Sequence, residues 1–399
     1  MGTYFRIFKI FFLLGLTSFG GPTAHIGYLH NKFVKDNNWF SAKEFFELVA
    51  ICQISPGPTS SQVVYAIGLV KKGFFGGVLA WLGFILPSAV IMIAFAYGMN
   101  IISSNTQFGL MQGFISVAVP VVGIALWQMG RSLCIDKFHW FIAITSIAGL
   151  IVLGPAVGHL VVVIFGLIAG LFLKIEIEKF EPSNIQLLLG NRLASFLVIL
   201  FFSILIIVFV LSQMDIPERF KLYSNLYKTG ALVFGGGHVV LPLLDSDFVP
   251  TGLLSVEQFF AGYGLAQAIP GPLFAFVSYC GTLMQFPSGN IFVPMFFGFI
   301  CLFCIYLPTF LFIPPALWFW SRLRENYKVR AALSGVNAAV VGLLLNAYIF
   351  HIVPFCFTSS FNIILVFVGC ILLGILKLPS WSVVLTLGLL GWALPTTFS

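Results

Sequence analysis

Nine stretches of the chain, 73–100, 108–130, 138–154, 155–173, 193–211, 291–320, 331–350, 361–376 and 381–394, contain no Asp, Glu, Lys or Arg. Their apolar residues run on without the alternation of a half-buried strand, so they read as helices that are hydrophobic on every side. About 20 such residues span the roughly 30 Å hydrocarbon core of a bilayer, and the shorter runs need tilt or local thinning. Two further regions, 11–38 and 44–70, are apolar but interrupted by Gly20-Gly21-Pro22 and Pro56-Gly57-Pro58. Proline inside a helix removes a donor and clashes with the preceding turn, so both regions are expected to be broken segments. Unwound backbone at membrane depth is tolerated only where it is buried in protein or lines a cavity, which makes these breaks the first candidates for a transport site.

The pattern repeats. Ser18-Phe19-Gly20-Gly21 returns as Val233-Phe234-Gly235-Gly236-Gly237, 215 residues later, and Gln53-Ile54-Ser55-Pro56-Gly57-Pro58 returns as Gln267-Ala268-Ile269-Pro270-Gly271-Pro272 after 214. Ser41, Phe45 and Phe46 match Ser255, Phe259 and Phe260, and Leu86-Pro87-Ser88 matches Leu307-Pro308-Thr309. The chain therefore divides into a first repeat over 1–175, a linker with one extra apolar helix over 176–215, and a second repeat over 216–399.

Charge orients the repeats. Lys32, Lys35, Lys43, Lys71 and Lys72 flank the broken segments of the first, whereas 229–321 contains no Lys or Arg and carries Asp245, Asp247 and Glu257 instead. The loop after the next apolar run is uncharged in the first repeat and holds Arg322, Arg324, Lys328 and Arg330 in the second. Arg131 and Lys137 likewise have no basic counterpart at 351–360. Under the positive-inside rule the repeats have opposite topology, with Arg219, Lys221 and Lys228 as the exceptions. The expected fold is an all-α polytopic membrane protein of two inverted repeats with broken or re-entrant helices. Nine full spans are expected, and 10–13 if broken segments cross completely. The N-terminus is expected in the cytoplasm of a cell whose plasma membrane holds the protein. Arg6 and Lys9 precede Ile10–Phe19, but no small-residue cleavage site follows, so the first segment is expected to remain.

Composition removes whole classes of function. At 59% hydrophobic and 8% charged, with a mean hydropathy of +1.05, the chain cannot present a water-facing surface, which excludes soluble enzymes, nucleic-acid binders and disordered scaffolds. The net charge of +7 reports loop orientation rather than an affinity for nucleic acid. All seven cysteines lie in or beside apolar stretches, and the CxxC of Cys301 and Cys304 has no other ligand types nearby. The histidines at 25, 30, 139, 159, 238 and 351 form no HExxH spacing, and no GxSxG or P-loop is present. No catalytic cluster, metal site or cofactor is expected, and without ATP-hydrolysing machinery transport would run on a gradient.

The breaks suggest what is carried. Pro56, Gly57 and Pro58 followed by Thr59 and Ser60 read as a helix N-terminus, with a proline at the first helical position and hydroxyls in the first turn. The free N–H groups and positive dipole end there attract anions. Pro270, Gly271 and Pro272 build the counterpart, so two half-helices converging near the midplane would hold a dianion. Gln53 and Gln267 could donate to it or could join helices to one another. Gly20, Gly21, Gly235, Gly236 and Gly237 could form anion-binding backbone nests or allow close packing. His25, His238, Glu44, Glu47 and Glu257 are candidates for coupling or gating, against solvation and local pairing at the interface. A gradient-driven anion transporter is the leading reading, with a passive anion channel or a carrier of another small inorganic anion as alternatives. A homodimer is compatible with the sequence.

Phe19-Gly20-Gly21-Pro22 followed by Ala24-His25, Gln53 through Pro58, Phe234 through Pro242, and Gln267 through Pro272 together resemble the chromate ion transporter family, long-chain type. The resemblance covers nearly the whole chain. It implies efflux of chromate, with sulfate as a related oxyanion, driven by the membrane potential or the proton gradient and conferring chromate resistance.

Overall fold

The computed structural model describes all residues except 1, 102–103, 174–189, 213, 215–216, 235–236, 286–289, 324–325, 358 and 394–399. Every regular element among the described residues is helical. The first half opens with α1 (Gly2–Thr17) and α2 (Gly21–His30), which continues as a π-helical turn over Asn31–Asp36. It goes on with α3 (Ala42–Ile54) and α4 (Thr59–Ile101), the latter broken at Lys72 and Gly73 into limbs 59–71 and 74–101. The half ends with α5 (Ser104–Ser116), α6 (Ala118–Leu133) and α7 (Lys137–Gly170), which bends at Gly154. Then α8 (Asn191–Ser212) leads to the second half.

That half repeats the order. α9 (Glu218–Leu232), a 3₁₀ turn at Gly237–Val239 and α10 (Val240–Phe248) form its first broken segment. α11 (Val256–Ala266), a 3₁₀ turn at Leu273–Ala275 and α12 (Phe276–Leu283) form its second, followed by the long α13 (Phe292–Leu323). The remainder is α14 (Tyr327–Ala347), α15 (Val353–Cys356), α16 (Ser360–Cys370) and α17 (Ser380–Ala393).

The second broken segment of each half is a re-entrant hairpin. α3 is 13 residues long, roughly 20 Å at the helical rise and too short to cross the hydrocarbon core. It starts at a capping box in which Ser41 Oγ accepts from the Glu44 N–H and the Glu44 carboxylate accepts from the Ser41 N–H. The chain turns at Pro56–Pro58 and comes back along the first limb of α4, where Lys71 Nζ donates to Trp39 O at 2.5 Å beside the capping box. The second half repeats the device: Ser255 and Gln258 form the capping box of α11, and Tyr279 OH on α12 donates to Gln258 O at 3.0 Å. Entrance and exit of each hairpin therefore lie together, with its turn at the far end. The rings of Phe11 on α1 and Phe33 after α2, 5.0 Å apart, show the first broken segment also folding back on itself.

The halves run in opposite senses. The long limb of α4 begins beside Lys71 and ends near Tyr97, whose hydroxyl donates to Ile291 O at the start of α13. α13, its counterpart in the repeat, returns to put Trp320 Nε1 2.8 Å from Glu47 Oε1 on α3. The two helices are thus antiparallel, as the charge pattern anticipates. Glycines let the halves interlock: a Cβ on Gly335 of α14 would meet Gly166 O of α7 at 2.1 Å, and one on Gly391 of α17 would meet Gly109 O of α5 at 2.3 Å. Such contacts are how helices associate where water supplies no drive. Six helices among the described residues are long and apolar enough to cross a membrane, and four shorter apolar helices accompany them. α8 buries only Ala194, Phe201 and Val208, one residue every two turns, with Leu197, Leu200, Ile204 and Leu205 half-buried beside them, and turns most of its remaining apolar surface outward.

Candidate anion site

The turns of all four broken segments meet. Pro22 and His25 from α2, Pro58, Thr59 and Ser60 at the start of α4, Gly237 before α10, and Pro272, Leu273 and Phe274 before α12 surround one crevice. Its free volume is about 10 Å³, close to the room a single water needs. A tetrahedral oxyanion is larger, so binding one requires the turns to part.

Backbone bonds lock the turns across the repeat. Gly57 N–H donates to Val233 O at 2.7 Å, and Gly271 N–H donates to Ser18 O at 2.8 Å. Val233 and Ser18 are counterparts, as are Gly57 and Gly271, so each half fastens the hairpin of the other by the same bond. Both glycines have left-handed backbone, φ +128° and +99°, which a residue with a Cβ rarely adopts. The neighbourhood is also closed to a Cβ, which on Gly57 would lie 2.8 Å from Thr309 Oγ1 and on Gly271 2.8 Å from Ser88 Oγ. Thr309 and Ser88 are counterparts too.

These bonds consume the glycine N–H groups that the sequence offered to an anion. The donors left for a ligand lie just beyond. The first backbone bond of α4 runs from Gln62 N to Pro58 O, so the N–H groups of Thr59, Ser60 and Ser61 precede the helical ladder. In the second half the ladder begins with Ala275 N to Pro272 O, leaving the N–H groups of Leu273 and Phe274. That turn is 3₁₀ where the sequence suggested an α-helical start, so its dipole is carried by a single tight turn before α12.

The backbone is paired, but the side chains are not. Thr59 and Ser60 correspond to Leu273 and Phe274, and His25 corresponds to Val240, so among the described residues the first half supplies the polar side chains of the crevice. Thr59 Oγ1 and His25 Nδ1 are buried and have no protein partner. A buried polar atom without a partner costs about 1–3 kcal/mol, so a polar guest in the crevice would relieve that cost at two atoms at once.

The other expected site residues scatter. Gln53 is exposed on α3 and Gln267 is partly buried with its amide nitrogen unpartnered, and neither lines the crevice. Gln62, which the motif spacing did not single out, covers the first turn instead, its Nε2 donating to Pro56 O at 2.6 Å. Pro56 and Pro270 shape the turns without lining the crevice. Gly20 and Gly21 have φ +97° and +78° and form the break before α2. Gly235 and Gly236 lie outside the described residues. His238 Nδ1 is 2.8 Å from Tyr263 OH, Glu44 is engaged in its capping box, Glu47 pairs with Trp320, and Glu257 sits partly exposed on the first turn of α11. Among the described residues no three His, Cys, Asp or Glu side chains are grouped to hold a metal.

A sequence model described as chromate transporter matches residues 5–171 and again 220–392. A chromate transport protein of Pseudomonas aeruginosa is 30% identical over 352 residues, covering 86% of this chain and 79% of its own length. A chromate transport protein of Cupriavidus metallidurans is 25% identical over 86% of the chain and 81% of its own. An uncharacterised transporter of Methanocaldococcus jannaschii is 24% identical over 94% of both. No solved structure matches the chain.

Proposed function

The chain belongs to the chromate transporter family, a family of transporters rather than enzymes, and from that premise we propose that it exports chromate, or the related dianion sulfate, across the plasma membrane and so confers chromate resistance. The supporting observation is the crevice where two inverted hairpins present first-turn N–H groups from opposite sides, with the hydroxyls of Thr59 and Ser60 beside them. Helix starts favour negative charge without a buried cation. Opposite helical directions in the two repeats suit alternating access, in which one repeat rocks against the other around a fixed midplane site.

Energetics favour a gradient as the drive. Moving a dianion outward across about 100 mV of inside-negative potential releases about 4.6 kcal/mol, enough for roughly a thousandfold concentration ratio. Arg6, Lys71 and Lys72 share a pocket at the open end of the first hairpins, which under the positive-inside rule is the cytoplasmic end together with the N-terminus. Asp245, His159 and His351 line a cavity that would then face outward. On this reading the repeats are 1–175 and 216–399, with 176–215 as the joining segment that permits their inversion.

Chromate uptake into everted membrane vesicles carrying the protein tests the reading. Accumulation that an uncoupler abolishes and excess sulfate reduces is the expected outcome. Equilibration without accumulation would make the protein a passive anion channel, and the absence of flux would remove chromate as its substrate.

A further inference from the structure

We infer that one proton is taken up at His25 Nδ1 for every dianion bound in the crevice, so that the loaded site carries one negative charge fewer than its guest. The inference rests on the anion-transport reading above and adds the protonation state of the site.

The geometry fixes the histidine. Its Nε2 lies 3.1 Å from Ser18 O, and a carbonyl only accepts, so Nε2 carries a hydrogen. The same carbonyl accepts from Gly271 N–H, so the ring is tied to the bond that locks the two halves. Phe84 packs edge-on against the imidazole at 5.4 Å, and the residue is 1% exposed. In the neutral ring the remaining nitrogen, Nδ1, is a lone pair, and that atom has no protein partner. His25 lines the crevice with Thr59 and Ser60.

A lone pair repels an oxyanion, whereas a protonated Nδ1 donates to it. Among the described residues no charged side chain lines the crevice to balance two negative charges. The charged groups on the elements packed against α2 are Lys43, Glu44 and Glu47 on α3, Lys71 and Lys72 on α4, and Lys32, Lys35 and Asp36 on the π-helical turn. Lys71 and Lys72 share their pocket with Arg6 at the open end of the hairpins. Glu44 is held at the capping box there, and Glu47 reaches Trp320. Lys32 pairs with Asp36. His238, beside Gly237, is engaged with Tyr263 OH. His25 is thus the titratable side chain lining the crevice, and a proton shared between Nδ1 and an anion oxygen supplies both the missing donor and the missing positive charge. A dianion in an apolar surround without either is costly.

Sulfate tests this cleanly because it stays fully ionised near neutral pH, so any proton taken up on binding goes to the protein. Calorimetric titration of the purified protein with sulfate, in buffers of different ionisation enthalpy at pH 7–8, measures the protons bound per anion. Uptake approaching one proton is expected, with an apparent Kd that rises by up to about tenfold per pH unit because the neutral free site must take that proton from solution. In His25→Gln, whose amide can still donate to Ser18 O, uptake should fall to zero and the remaining binding should lose its pH dependence. Sulfate binding without proton uptake in the unaltered protein would overturn the inference and leave the anion site standing. Should neither sulfate nor chromate bind, the functional reading fails and this inference with it.

Discussion

Valine in place of Gly57 or Gly271 is expected to abolish transport while the protein still inserts at normal levels. A β-branched residue at φ +128° or +99° is strained by about 1–3 kcal/mol. Its Cβ would also stand 2.3 Å from Gln62 Nε2 at one site and 2.8 Å from Ser88 Oγ at the other. Relieving either clash turns the local backbone and pulls the glycine N–H away from Val233 O or Ser18 O, the two bonds that hold the hairpin turns together. Insertion depends on the long apolar helices, and neither residue lies within one of them. The check is vesicle uptake normalised to the amount of protein in the membrane, with loss of at least about a hundredfold expected. Undiminished uptake in both variants would show that the turns need not meet.

The second large effect is an asymmetry. Thr59→Val and Ser60→Ala should each lower chromate transport by roughly tenfold or more, because a hydrogen bond to a charged group is worth about 1.5–3 kcal/mol. Their counterparts carry no polar side chain, so Leu273→Val and Phe274→Leu should change the rate by less than about threefold, the ordinary range for a conservative apolar swap. Initial rates over a range of chromate concentrations separate weaker binding from slower turnover. Equal losses on the two sides of the crevice would contradict a site whose polar side chains come from the first half alone.

Much of the fold was legible in the sequence because membranes impose coarse rules. Uninterrupted apolar runs located the long helices, the spacing of Gly20-Gly21 and Pro56–Pro58 against their repeats gave two halves, and lysine placement gave their opposite sense. The broken segments could be anticipated from Pro and Gly, but the meeting of their two arms could not. That follows from Lys71 returning to Trp39 and Tyr279 to Gln258, contacts between residues 21–32 positions apart. A signal was present in Ser41-x-x-Glu44 and Ser255-x-x-Gln258, whose capping boxes mark where each hairpin begins.

The candidate site was legible as a meeting of segments rather than as chemistry. Thr59, Ser60, Gly237, Pro58, Pro272 and His25 do come together. Gln53 drew attention by preceding the motif, yet its place on α3 turns it outward, while Gln62 reaches the turn from one helical turn beyond it. Gly57 and Gly271 read as free donors because only the folded chain shows Val233 O and Ser18 O accepting from them. Comparing the repeats residue by residue, Thr59 with Leu273, Ser60 with Phe274 and His25 with Val240, would have revealed the asymmetry from sequence alone.

Selenate is a tetrahedral dianion with a heavy scatterer at its centre, so a crystal grown with it reports the anion directly. An anomalous peak within hydrogen-bond reach of Thr59, Ser60 and His25, facing Leu273 and Phe274, is the result expected if the converging turns are the transport site. A peak confined to the pocket of Arg6, Lys71 and Lys72, with none between the turns at saturating selenate, would contradict it.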